Sequence, residues 1–157
     1  MTTQDLATNR TAFLDMIAHS EIGPDLLAVS DNGYNVLVGS TPANPLLFDS
    51  YAEHPHVFNA KFNSTAAGRY QFLFRDWFHY KTLLHLPDFG PASQDLWAIQ
   101  LIRERAALPL IDMGSFADAV ARVSNLWASL PGASYGQHEN HIDDLAEAYR
   151  AAGGTIA

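Results

Sequence analysis

The chain has no cysteine. That excludes a disulfide framework, thiol catalysis and thiolate metal sites, and the fold needs no oxidising compartment. Positive charge is also scarce. Nine Lys plus Arg stand against 17 Asp plus Glu, a formal net charge of -8. A general binder of nucleic acid or of an anionic membrane carries a basic face, so neither role is expected. No run approaches the about 18 consecutive apolar residues of a spanning helix, so membrane insertion is not expected either. Residues 1–10 lack the basic start and apolar stretch of a signal peptide, which leads one to expect synthesis as a soluble protein in the cytoplasm. There is no Gly-rich phosphate loop, no Gly-x-Ser-x-Gly elbow and no His-Glu-x-x-His pair.

What is present is enough for one domain with a core: 157 residues, 48% of them hydrophobic. The stretch from Phe13 to Glu21 reads as a helix, with Phe13, Leu14 and Ile17 on one stripe and Thr8 or Asn9 as N-cap. Residues 1–8 are expected to fray. Continuing the stripe reaches Glu21 on the last turn, just before Gly23 and Pro24. Burial and the negative end of the helix both disfavour a charged carboxylate there. A carboxylic acid that keeps its proton near neutral pH is what a general acid needs. The simpler reading is a capping or ion-paired glutamate.

Further along, Leu26 to Val29 reads as a strand, Ser30 to Gly33 as a turn and Tyr34 to Val38 as its hairpin partner. Leu46 to Phe48 adds a third strand. Tyr51 to Thr65 reads as a long loop. A helix is expected from Gly68 through Trp77 to Leu84. Another runs from Pro91 to about Ala107 with Leu96, Ile99, Ile102 and Arg103 on its stripe, stopped by Pro109. Ser115 and Asp118 suggest a capping box opening a helix with Phe116, Val120, Val123 and Leu126 inward. A last helix spans about Glu139 to Ala152, closed by Gly153 and Gly154. The expected fold is a single α+β domain over residues 1–157, mainly helical, with a small antiparallel sheet beside the helical lobe and a cleft where they meet.

Three further groups bear on chemistry. Ser64 to Gln71 is a loop of small residues leading to Tyr70, an aromatic face, and Gln71, an amide donor and acceptor, both useful on sugars. Trp127 to Gln137 is a Gly-rich loop carrying Tyr135. The seven histidines include the pairs His54/His56 and His138/His141, but no set of converging ligands points to a metal site. A hydrolysing glycosidase needs a second carboxylate, for which Asp31 and Asp49 are the candidates. A lytic transglycosylase needs only one acid, because the sugar's own 6-hydroxyl displaces the glycosidic bond.

Over about Ala12 to Thr155 the sequence resembles the lambda endolysin (lambda lysozyme) family of peptidoglycan lytic transglycosylases. The matching pieces are Ala12 to Met16 with Ser20-Glu21, Gly33-Tyr34 with Val36 and Val38-Gly39, and Ser64-Thr65 with Ala67 to Gln71. They continue with Glu104-Arg105, Ala107 to Pro109, Ile111-Asp112, Ser124-Asn125, Trp127 to Ala133 and Tyr135 to Gln137. The resemblance implies that Glu21 is the catalytic acid and base. It implies a saccharide cleft with Gln71 and Tyr135 in it, and makes Ser20, Gly68, Tyr70, Ser129 and Gln137 further substrate-binding candidates. It also implies a lysozyme-like fold with the small sheet as one lip of the cleft, and no metal or cofactor. The implied reaction is cleavage between N-acetylmuramic acid and N-acetylglucosamine in peptidoglycan glycan strands, leaving 1,6-anhydro ends. The enzyme would act as a monomer on the wall in the periplasm, released from the host cytoplasm through a lesion made by another phage protein. The alternatives are a two-carboxylate lysozyme using Glu21 with Asp31 or Asp49, and a non-catalytic wall-binding module.

Overall fold

The computed structural model describes residues 2–132 and 139–157. Among them run seven α-helices: α1 (Thr3–Glu21), α2 (Pro24–Ala28), α3 (Trp77–Leu84), α4 (Pro91–Glu104), α5 (Leu108–Asp112), α6 (Phe116–Val123) and α7 (Ile142–Ala151). A short 3-10 turn, Phe74–Asp76, leads into α3. The chain divides into two units: residues 1–21 with 99–157, and residues 22–98.

The first unit is built on α1. This helix opens ten residues before the expected stripe, and residues 3–8 are helical rather than frayed. The cause is a reciprocal cap. Thr2 Oγ1 accepts the Asp5 N–H at 3.2 Å while Asp5 Oδ2 accepts the Thr2 N–H at 2.9 Å, satisfying two of the orphan donors of a helix start. Asn9 is no cap. Its buried amide donates to Ile111 O at 3.1 Å and accepts Thr155 N–H at 3.0 Å. From Ala12 onward α1 is buried on nearly every side, including Phe13, Leu14, Met16, Ile17, Ala18 and Ser20. A helix enclosed all round is a core helix, and α1 packs on α7 and α5. Phe13, Phe116 and Tyr149 form a ring cluster with centroids 4.7–6.3 Å apart. Arg10 grips Asp112 with two hydrogen bonds of 2.9 and 2.7 Å. Pro109 does not merely stop α4; it sits in the first turn of α5, where its missing N–H costs nothing. α6 buries Phe116, Val120 and Val123 as expected, but Ser115 caps it without a side-chain hydrogen bond.

The second unit differs more from expectation. Residues 26–29 are not a strand: Pro24 to Ala28 is helical, with Gly23 as N-cap at φ +86° and Pro24 opening the turn. No hairpin joins residues 26–38. Among the described residues β pairing is limited to isolated antiparallel bridges, Val36 with Leu47, Leu37 with Ala67, Asn59 with Ser64, and Ala67 with Phe72. Residues 68–73 are not helical either, because Gln71 turns into the left-handed region at φ +53° and Phe72 pairs back to Ala67. The core here is aromatic. Phe72 stacks on Trp97 at 4.0 Å, and Trp77, Tyr80 and Phe89 close around the same indole. Trp97 therefore faces inward on α4, and Leu96, placed on the inner stripe by periodicity, is exposed.

Candidate active site

Glu21 is the last residue of α1. The enclosed helix carries it into a largely desolvated position, and burial lifts its carboxyl from 4.5 to about 7. Ser129 opposes that rise by hydrogen bonding to the carboxylate through both its hydroxyl and its backbone N–H. Burial wins, so the group exchanges its proton near neutral pH. Among the described residues no charged side chain contributes to the balance. The helix thus ends in a proton donor and acceptor whose two forms are both accessible where a general acid–base works best.

Around Ser129 the first unit supplies a short polar chain. Ser20 Oγ and Ser129 Oγ lie 2.7 Å apart. Asn140 reaches Ser20 with its side-chain nitrogen, 3.0 Å from Oγ and 3.2 Å from the carbonyl oxygen. The Asn140 backbone N–H donates to Ser129 O at 2.8 Å. Glu21, Ser20 and Ser129, singled out separately in the sequence, are thus brought together. Asn140 was missed, because it was read as part of the last helix, which starts only at Ile142 after an extended His141.

Within the second unit Gly68, Tyr70 and Gln71 lie together, but two of them do structural work. Gly68 holds φ +86°, and a Cβ there would meet the Gln94 carboxamide, so the glycine is required by packing. Gln94 is a fully used hub. It accepts Arg69 N–H at 2.9 Å and donates to Tyr34 O at 3.0 Å and Phe89 O at 2.8 Å. Tyr70 is wholly buried and offers no face to a ligand. Its hydroxyl donates to Asp95 at 2.5 Å and accepts from Arg69 at 3.1 Å. Tyr34 donates to the same Asp95 carboxylate at 2.9 Å. Burial first, and then Asp95, pushes both phenols up. Gly68 and Tyr70 thus both support the fold of this unit. Gln71 is half-buried and spends its amide hydrogens on Gly68 O at 2.8 Å and Val36 O at 3.4 Å.

The two carboxylates weighed as partners for Glu21 are both exposed. Asp31 accepts the Tyr51 hydroxyl at 2.5 Å. His54 spends both ring nitrogens on backbone, Nε2 on Phe72 O at 2.7 Å and Nδ1 on His56 N–H at 3.1 Å. That fixes the neutral tautomer with hydrogen on Nε2. Tyr135 and Gln137 lie outside the described residues.

A family model described as Endolysin matches residues 11–156. The chain is 47% identical to the endolysin of Escherichia phage lambda, over 97% of this chain and 96% of that protein. It is 46% identical to the endolysin of Escherichia phage P2, over 95% of each. Among solved structures it is similar to bacteriophage lambda lysozyme complexed with a chitohexasaccharide. That likeness has TM-score 0.86 and 48% identity, covering 96% of this chain and 97% of that one. A second solved structure, the lysozyme from bacteriophage lambda, gives TM-score 0.81 and 47% identity over the same shares. With the match spanning nearly all of its length, the chain belongs to the endolysin family, the phage enzymes that degrade the bacterial cell wall.

Proposed function

We propose that this endolysin is a lytic transglycosylase that uses Glu21 as its single acid–base group. It cuts the β-1,4 bond between N-acetylmuramic acid and N-acetylglucosamine in peptidoglycan. The observation that carries the reading is the displaced carboxyl of Glu21, held near 7 by burial with Ser129 opposing it. Protonated Glu21 gives its hydrogen to the glycosidic oxygen as that oxygen leaves C1 of the muramic residue. The O6 hydroxyl of the same sugar bonds to C1, and its proton passes to the Glu21 carboxylate. One bond breaks, one forms, and the enzyme regains its starting protonation without a water. A group that must be acid and then base works best when its two forms are close in energy.

The similarity to a lysozyme holding a chitohexasaccharide supports a glycan substrate. Gln71, Tyr135 and Gln137 are its proposed side-chain contacts, within one catalytic domain spanning residues 1–157. Among the described residues no helix is long and apolar enough to cross a membrane. The proposed enzyme is made in the host cytoplasm, acts as a monomer and reaches the periplasm through a lesion opened by a separate phage protein. A two-carboxylate mechanism draws no support from Asp31 or Asp49, both of which are exposed.

The test is Glu21→Gln. The variant should lose lysis of purified peptidoglycan by roughly 10²–10⁴-fold while still binding glycan fragments. Lytic activity within a few-fold of the parent would refute the assignment.

A further inference from the structure

We infer that Asn140 is a positioning residue for the reaction, tying the end of α1 that carries Glu21 to the segment that carries Ser129, a hydrogen-bond partner of the Glu21 carboxyl. The inference rests on the reading of Glu21 as the acid–base group.

The direction of the Asn140 bonds follows from elementary valence. A backbone carbonyl only accepts. The Asn140 side-chain atom 3.2 Å from Ser20 O is therefore its NH2 group, and that same group lies 3.0 Å from Ser20 Oγ. An NH2 only donates, so Ser20 Oγ accepts from it. Ser20 Oγ in turn lies 2.7 Å from Ser129 Oγ, where either hydroxyl can donate. Ser129 itself hydrogen-bonds the Glu21 carboxyl and opposes the effect of its burial. Polar chains of this kind gain from each bond polarising the next.

Asn140 also fixes the backbone that presents Ser129. Its own N–H holds Ser129 O at 2.8 Å, while its side chain covers the carbonyl of Ser20, one of the orphan acceptors at the end of α1. One residue thus ties the helix carrying Glu21 to the segment carrying its donors. The titratable neighbours in sequence are His19 on α1, and Glu139 and His141 beside Asn140. Glu139 is turned to Gly132 N–H at 3.0 Å. None of the three contributes to the balance at Glu21.

The experiment compares Asn140→Leu, Ser20→Ala, Ser20→Thr and Glu21→Gln with the parent on soluble peptidoglycan glycan strands. It reads kcat, KM, the pH profile of kcat and thermal stability. Donation to the carboxylate stabilises its ionised form, so loosening it moves the alkaline limb of the kcat profile to higher pH. Asn140→Leu and Ser20→Ala should lower kcat by about three- to tenfold, the equivalent of one hydrogen bond's net worth, with KM little changed. Both should move that limb upward, and Ser20→Thr, which keeps the hydroxyl, should retain the parental profile. A parental kcat and pH profile in Asn140→Leu and Ser20→Ala would overturn the inference. So would a loss of stability in them without movement of the limb, which would reduce Asn140 to a helix cap. An active Glu21→Gln would remove the acid itself and the inference with it, a result distinct from either.

Discussion

Replacing Glu21 with glutamine should change how folding stability depends on pH, in the sense opposite to that of an ion-paired carboxylate. In the folded chain burial holds the carboxyl at about 7 against an ordinary 4.5. Below pH 4.5 the group is protonated in both states and contributes nothing. Between 4.5 and 7 the unfolded chain releases its proton while the folded chain keeps it, so stability drains as pH rises. Above about 7 both forms are ionised and the loss levels off. Carrying the group across that interval, at 1.36 kcal/mol per pH unit, costs about 3 kcal/mol. Glutamine is neutral throughout and keeps the carbonyl that Ser129 can donate to. The stability gap between variant and parent should therefore widen in the variant's favour by about 3 kcal/mol from pH 4 to pH 9. For a chain of this size that corresponds to roughly 6–12 °C in Tm. Urea unfolding at closely spaced pH values measures it, and the constant offset from the substitution itself drops out of the comparison. A gap that stays flat across this range, or closes with rising pH, would show that Glu21 is not held in a desolvating position.

Three other expectations follow from the same structure. Asp31→Asn and Asp49→Asn should each keep substantial lytic activity, far short of the roughly 10²–10⁴-fold loss of removing a general acid; abolished lysis in either folded variant would favour the two-carboxylate mechanism. Gly68→Ala should cost about 2 kcal/mol or more by chemical unfolding, because the new methyl meets the Gln94 carboxamide at a backbone angle of +86°; an unchanged midpoint would refute the packing role. Burial holds His54 below its ordinary 6.5, so the fold loses stability as pH falls through the range just below that value. His54→Gln should flatten this acid-side slope in a urea titration, and an unaltered slope would assign the effect elsewhere.

The sequence carried the place of Glu21 at the end of its helix but not its surroundings, for physical reasons. Glu21 was legible because helical periodicity is local: the stripe from Phe13 predicts its own continuation, and Gly23 with Pro24 marks the end. The Thr2 and Asp5 cap was equally local and went unread, which shortened α1. Leu26 to Val29 was mistaken for a strand because a four-residue apolar run fits either structure; Gly23 and Pro24 just before it were the signal for a helix start. Gln71 defeated the long helix expected from Gly68, since a left-handed glutamine has no sequence signature. Asn140 was beyond reach for another reason. Its bonds join positions 20 and 129 to 140, and nothing in the local pattern reports a partner 120 residues away.

The central claim, one carboxyl and no hydrolytic water, is tested most directly by the products. Purified peptidoglycan digested with the parent enzyme should yield muropeptides that mass spectrometry finds lighter by one water than the reducing species. Those products are 1,6-anhydro ends, formed when the sugar's own O6 displaces the bond. Digestion that instead gives reducing ends would contradict the account, because it would require an activated water and a second catalytic group beside Glu21.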